Sequence, residues 1–328
     1  MNLPIRRALI AALLLACSPA TPAAPPESFL EAPGPAGPLK GTLVSPGSKS
    51  APVVLIIPGS GPTDRDGNSP LGIRASSYRL LAQGLAARGI ATLRIDKRGM
   101  FASAAATPDA NAVTIPDYVA DVRAWVAVLR RETGAPCAWV LGHSEGGLVA
   151  LASAKDVPGI CGLVLIATPG RPLGQVLREQ LQSNPANGPI LGQALPAIDA
   201  LEKGQRVDVS NFHPALQGLF NPAVQGFLIS AFSYDPVRLL AEYGQPVLVL
   251  QGQRDLQVGE ADARRLQQAN PRVQLVLLPD VNHVLKSVGS DDVGANLATY
   301  ADPGLPLAPG VADAVAGFLV SASKAAQR

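Results

Sequence analysis

Residues 139–151 read WVLGHSEGGLVAL. An apolar run reaches Leu141, breaks at Gly142-His143-Ser144-Glu145-Gly146-Gly147, and resumes as an apolar helical pattern from Leu148. A strand, a sharp turn and a helix would explain why titratable groups and glycines interrupt two buried stretches. Glycines flanking Ser144 lack Cβ atoms, so strand and helix can approach closely around a strained central residue. The turn would lift the Ser144 hydroxyl off the C-terminal edge of a sheet. It would also set the N-terminus of the next helix beneath that hydroxyl, where a partial positive charge favours an anion. Gly142-His143-Ser144-Glu145-Gly146 matches G-x-S-x-G, the nucleophile elbow. A purely structural turn is the competing reading, and the apolar strand before and amphipathic helix after count against it.

The rest of the chain repeats this alternation. Apolar runs rich in β-branched residues predict strands at Val53–Ile57, Ile90–Ile95, Ala138–Leu141, Leu163–Ala167, Val247–Gln251 and Val273–Leu278. Helical patterns fall at Ser76–Arg88, Asp117–Arg131, Glu145–Ala154, Ala261–Ala269 and Val311–Ser323. Strands apolar on both faces, separated by helices, predict an α/β fold with a parallel sheet covered on both sides. Leu39–Val44 is expected to add an antiparallel edge strand. Residues 171–245 break the rhythm with helix-like pieces at Leu173–Leu181 and Val224–Ala231 and no strand pattern. A structureless loop of that length is out of place in a compact domain, so a helical cap is expected there. The core then divides into residues 39–170 and 246–328.

A serine hydroxyl needs a base, normally His. The chain has three: His143, adjacent to the serine and expected to diverge from it; His213, in the cap; and His283, after the last strand. The order Ser, acid, His selects His283. Asp255, in the loop after Val247–Gln251, is the first choice for the acid that orients the ring. Asp262, in the next helix, and Asp280, close in sequence to the His, are the weaker candidates. The oxyanion of a tetrahedral intermediate needs N–H donors: Glu145 for one, and Ser60, with Gly61 in reserve, for the other.

Two other patterns fail on inspection. Asp64-Arg65-Asp66-Gly67-Asn68 spaces carboxylates like a calcium loop, yet Ser69 stands where that loop needs Gly and Ala75 where it needs Glu. A hydrogen-bonded turn is expected instead. Gly59-Ser60-Gly61 lacks the third glycine of a dinucleotide fingerprint, its place being taken by Asp64. Neither pattern calls for a metal or a cofactor, and none is expected.

The first residues argue about location. Arg6 and Arg7 precede an unbroken apolar run, Ala8–Ala16. Too short to span a membrane, it has the length of a secretory signal. Residues 1–17 end in Leu14-Leu15-Ala16-Cys17, which resembles the bacterial lipoprotein box, so Cys17 is a candidate for lipidation and membrane anchoring. Ordinary cleavage near Ala20–Ala24 is the alternative. The Pro/Ala-rich residues 18–38 read as a tether. Export, to the periplasm or cell envelope, admits a disulfide between Cys137 and Cys161 if their strands are parallel neighbours; two separate buried thiols is the other possibility.

With 27 basic and 25 acidic side chains the net charge is +2. No Lys/Arg stripe interleaves with aromatics, so nucleic acid is excluded as a partner. The 328 residues suffice for two domains or for one large α/β unit.

Together Gly142-His143-Ser144-Glu145-Gly146, Asp255 and His283 resemble the α/β-hydrolase superfamily from about Leu39 to the C-terminus. Pro58-Gly59-Ser60-Gly61-Pro62 with Asp96-Lys97-Arg98-Gly99 looks like its bacterial carboxylesterase-like, serine aminopeptidase-like branch. The resemblance implies an eight-stranded sheet, a Ser-Asp-His triad and a cap between the sixth and seventh strands. Pro58 departs from it, standing where many members have His; the donor at this turn is backbone, but the departure bears on the assignment of Ser60. The leading expectation is a serine hydrolase cleaving small-molecule carboxylic esters through an acyl-enzyme. A serine aminopeptidase-like peptidase or thioesterase is the runner-up, and a non-catalytic envelope lipoprotein on the same scaffold is the third reading.

Overall fold

The structure is a computed structural model and describes residues 26–47 and 51–326. The signal reading of residues 1–17, the lipidation reading of Cys17 and the first part of the 18–38 tether lie outside the described residues.

Eight strands form one sheet in the order β1-β2-β4-β3-β5-β6-β7-β8. In chain order these are β1 (Glu27–Ala32), β2 (Leu39–Val44), β3 (Val53–Ile57), β4 (Ala91–Ile95), β5 (Ala138–His143), β6 (Ile160–Ile166), β7 (Val247–Gly252) and β8 (Val273–Leu278). From β4 to β8 every neighbouring pair is parallel, whereas β2 pairs antiparallel with both β1 and β4. The side chains of β3, β4, β5 and β7 are buried along their whole length because helices cover both faces. One core packs helices α2 (Ile115–Thr133), α3 (Glu145–Asp156) and α9 (Glu260–Ala269) on one side of the sheet. The other side takes α1 (Ser77–Ala86) and α11 (Val311–Ala326), and a short α10 (Val293–Ala298) precedes α11 in the chain.

The element boundaries agree with the sequence pattern to within a few residues, with one correction at the edge. The expected tether contains β1, which pairs with β2 from Glu27↔Val44 to Ala32↔Leu39. Consequently β2 is the second strand, not the edge. No periodic pattern announces β1, since of its side chains only Ala32 is buried and Phe29 is 81% exposed. Ladder hydrogen bonds, rather than buried apolar area, hold it.

Residues 171–245 are helical as expected, but more completely: α4 (Leu173–Ser183), α5 (Gly188–Glu202), α6 (Pro214–Leu219), α7 (Gln225–Phe232) and α8 (Pro236–Ala241). They lie between β6 and β7, the sixth and seventh strands. Three of these helices are six to eight residues long, and α5 carries Pro196 in its interior, which blurs the 3.6-residue period. The cap has a small apolar core of its own, built on Ile190, Ile198, Leu201, Leu216, Phe220 and Phe232.

Cys137, just before β5, and Cys161, on β6, form a disulfide with Cα atoms 5.3 Å apart. The parallel register that pairs Ala138 with Ile160 brings them together. Of the two possibilities for these thiols, the paired one holds.

Candidate active site

The parallel register sets the ends of β3, β5, β7 and β8 along one edge of the sheet, with Ile57 opposite Gly142 and Gly252 opposite Leu278. Four loops leave from that edge, and they carry Gly59-Ser60, Ser144, Asp255 and His283.

Ser144 sits between β5 and α3 with φ 54° and ψ −122°. A left-handed φ at a non-glycine residue costs roughly 1–3 kcal/mol and persists only where its surroundings over-determine it. Here its N–H donates to the Ile166 carbonyl at 2.9 Å and its own carbonyl accepts from Gly147 N–H at 2.9 Å. A Cβ on Gly142 would collide with the Gly146 carbonyl, and one on Gly146 with the carbonyls of Ile57 and Pro58. Both glycines are therefore required by close packing of strand against helix. As the first residue of α3, Glu145 has an N–H with no intrahelical acceptor.

His283 and Asp255 meet across two loops. The His283 Nδ1 lies 2.8 Å from Asp255 Oδ2. The other carboxylate oxygen accepts from the N–H groups of Gln257 at 2.8 Å and Val258 at 3.0 Å. Burial raises the Asp255 carboxyl pKa, but the charge of His283, its hydrogen bond and the two backbone donors outweigh that, leaving it below the usual carboxylate range. Asp255 is thus an anion aimed at the imidazole. Ser144 and His283 line one cavity of about 90 Å³, together with Gly59, Ser60, Thr63 and Tyr78. No hydrogen bond joins Ser144 Oγ to His283 among the described residues; such contacts commonly tighten only when substrate is bound.

His143, expected to diverge from the serine, turns into the protein and is almost fully buried. Its Nε2 lies 2.8 Å from the backbone carbonyl of His283 and its Nδ1 3.0 Å from the Tyr78 hydroxyl. Only an Nε2–H can meet a carbonyl, so a neutral His143 accepts at Nδ1 from Tyr78. The Tyr78 oxygen in turn accepts from Gly59 N–H at 3.1 Å. Burial first, and repulsion from His283 second, lower the His143 pKa to about 3, which keeps the ring neutral. A hydrogen-bonded chain thus runs from Gly59 through Tyr78 and His143 to the backbone of His283. Sequence reasoning missed it: Tyr78 lies in an ordinary helical pattern, and only the tertiary fold brings α1 under the elbow. Ser77 Oγ adds a 2.6 Å bond to the Val284 carbonyl.

The loop after β3 places Ser60 on the cavity wall. The Ser60 N–H donates to no acceptor among the described residues, while its carbonyl accepts from Thr63 Oγ1 at 2.8 Å. The Gly59 carbonyl accepts from Lys97 Nζ at 2.6 Å. Lys97 is 3% exposed and also faces Glu145, 3.7 Å away and equally buried. Burial lowers the Lys97 pKa, against the pull of that carboxylate.

The remaining candidates have other partners. Asp262 takes both its oxygens to Arg171, at 2.8 and 2.7 Å, and accepts from Gly170 N–H at 3.1 Å, pinning the root of the cap. Asp280 is exposed, 3.9 Å from Arg254. His213 caps α6 by accepting from Ala215 N–H. Asp64 Oδ1 accepts from the N–H groups of Asp66 and Asn68, each at 2.8 Å, which is the expected turn. Among the described residues no cluster of three or more His, Cys, Asp or Glu could hold a metal ion. A wider cleft, about 730 Å³ against β1 and β2, is lined by ion-paired residues such as Lys40, Arg65 and Arg94.

Comparison with known proteins bears on the family and the fold. EstD, an esterase of Thermotoga maritima, is 30% identical over 267 residues, 80% of this chain and 61% of EstD. The chain therefore spans less than two thirds of that relative. Est1E from Butyrivibrio proteoclasticus, solved with ferulic acid bound, superposes with a TM-score of 0.56 over 90% of this chain and 99% of that one, at 17% identity. A thermophilic esterase from Thermogutta terrifontis gives a TM-score of 0.55 over 90% and 99% of the two chains, at 19% identity. These two likenesses speak to the fold. The model of the Alpha/beta hydrolase family matches residues 53–291, so β3 to β8, the elbow and the loops that follow β7 and β8 all fall within the match, and the chain belongs to that family.

Proposed function

We propose that the protein is a serine hydrolase of carboxylic esters. The observation that carries the reading is the ionised Asp255 on Nδ1 of His283, with that ring and the strained Ser144 lining one cavity. Ser144 Oγ attacks the ester carbonyl while His283 Nε2 takes its proton. The N–H groups of Ser60 and Glu145 hold the oxyanion. Collapse breaks the bond to the alcohol oxygen, which leaves with the proton from His283. Water, deprotonated by the same ring, then attacks the acyl-enzyme, releases the carboxylic acid and restores Ser144. Asp255 holds the tautomer and stabilises the imidazolium.

An aminopeptidase would need a carboxylate to receive the free amine. None of the described residues lining the cavity is acidic, which favours esters over peptides. The cavity of about 90 Å³ favours small acyl groups. Esterase names among the relatives support the same reading. In the test, nitrophenyl acetate, butyrate and octanoate are compared with aminoacyl anilides, alongside labelling by a fluorophosphonate. Short esters turned over, and both labelling and turnover lost in Ser144→Ala, are the expected results. Turnover of anilides alone, or activity surviving in Ser144→Ala, would overturn the proposal.

Export belongs to the same proposal. The Cys137–Cys161 disulfide supports an oxidising compartment. Mass spectrometry of the mature N-terminus checks it: a diacylglycerol adduct on Cys17 is expected, and an intact or unmodified N-terminus counts against anchoring.

A further inference from the structure

Within Asp96-Lys97-Arg98-Gly99, two of the three charges have evident structural partners. Asp96 pairs with Arg65 at 2.6 Å, and Arg98 pairs with Asp121 at 2.6 Å and Asp117 at 3.0 Å. Lys97 is different. Its ammonium is buried, and burying an ammonium is costly unless it is paired and hydrogen-bonded. It has one carbonyl, that of Gly59, one carboxylate, that of Glu145, and the Tyr118 ring 5.7 Å away.

We propose that Lys97 is the positioning residue of the oxyanion site, holding both of its N–H donors through a single buried ammonium. The inference rests on the serine-hydrolase reading above, in which those donors are Ser60 and Glu145. The Gly59 carbonyl and the Ser60 N–H are two ends of one peptide plane. In a trans peptide they point in opposite directions, and the described backbone has no cis bonds. Gripping the oxygen from behind therefore aims the hydrogen forward, towards the cavity that Ser60 lines. Tyr78 holds the preceding N–H of Gly59, so the turn is clamped on both sides. A hydrogen bond from a cation to the carbonyl also polarises the amide and makes its N–H a stronger donor, as charge-assisted bonds do.

The second donor is tied to the same group. Glu145 supplies its backbone N–H, and its side chain reaches the Lys97 ammonium. A buried carboxylate so near a developing oxyanion would oppose it. Lys97 cancels that charge while orienting the peptide across the cavity. Positioning and charge cancellation are separable, because Glu145→Gln removes the carboxylate and leaves the ammonium on the Gly59 carbonyl.

The experiment uses Lys97→Met and the double variant Lys97→Met/Glu145→Gln in the full chain. Circular dichroism and thermal unfolding establish that each is folded. The readouts are kcat and KM on a short nitrophenyl ester, and inhibition by a short alkylboronic acid, whose Ser144 adduct carries the tetrahedral oxygen. Removal of one oxyanion donor lowers kcat by about 10²–10³-fold, so its misalignment is expected to cost about 10- to 100-fold. KM stays within about threefold of wild type, because the interaction develops in the transition state. Boronate affinity falls in step with kcat/KM. A merely structural ion pair would lower the unfolding temperature without moving boronate affinity. The double variant has no unpaired buried carboxylate, so it keeps the test alive if Lys97→Met alone does not fold. Loss of kcat and boronate affinity in the folded double variant supports the positioning role. Wild-type values in a folded variant, with turnover still dependent on Ser144, would overturn this inference alone. Turnover that survives Ser144→Ala would overturn the reading beneath it.

Discussion

The backbone carbonyl of His283 accepts a hydrogen bond from Nε2–H of His143, the residue that precedes Ser144. The strand that presents the serine thus also fixes the loop that presents the imidazole. Replacing His143 by Phe leaves that carbonyl without its donor and the Tyr78 O–H without its acceptor, although the Tyr78 oxygen keeps the Gly59 N–H, at a cost of about 1–3 kcal/mol for each group left unpaired. The expected result is a lower midpoint in thermal unfolding together with a fall in kcat, since the His283 loop loses an anchor. An unchanged midpoint and kcat would remove the chain from the account of the site.

His143 also gives the fold a pH dependence whose sign can be worked out. Its pKa is about 3 when buried, against 6.5 for an ordinary imidazole. Between those values the unfolded chain binds a proton that the folded chain refuses. Stability is therefore fully present above about pH 6.5 and is lost progressively as pH falls towards 3. Urea unfolding across that range should show a declining free energy, and the decline should flatten in His143→Phe. A slope indifferent to His143 would contradict the assignment.

Asp255→Asn is the test of tautomer control. An amide in place of the carboxylate can donate to Nδ1 and trap the ring in the wrong form. In a serine protease the equivalent change lowers kcat about 10⁴-fold with the geometry intact. A drop of about 10³–10⁴-fold is expected here on a nitrophenyl ester, with KM little changed. A loss under about tenfold would point to another acid.

The disulfide sits at the opposite end of β5 from Ser144. Its two cysteines are 24 residues apart, a loop size for which such a cross-link contributes roughly 2–4 kcal/mol. Cys137→Ser/Cys161→Ser should lower the unfolding temperature measurably while kcat and KM, measured where the variant remains folded, stay near wild type. Loss of activity in a folded double mutant would instead couple that end of the sheet to the site.

Much of this architecture was readable because burial on both faces leaves an unmistakable apolar run, as in Val53–Ile57 and Val247–Gly252. Gly142 and Gly146 mark the elbow because close packing there admits no Cβ. What stayed hidden depends on contacts between residues distant in sequence. β1 shows no pattern because little of it is buried, and its identity comes from pairing with β2. Tyr78 has no local signature, and Asp96-Lys97-Arg98-Gly99 gave Lys97 a resemblance but no role, since the meaning of both residues lies in Gly59, 19 and 38 residues away along the chain. His143 diverges from Ser144 as expected, but the partners its ring meets, Tyr78 and the His283 carbonyl, are 65 and 140 residues away.

The small core inside the cap has a consequence for how this protein can change. Ile190, Ile198, Leu201, Leu216, Phe220 and Phe232 pack largely among themselves, while Ser144, Asp255 and His283 hang from the sheet edge. Substitutions inside that helical core can accumulate while the strand ends that carry Ser144, Asp255 and His283 keep their register. Drift in one part of the chain is in that sense decoupled from the geometry of the other.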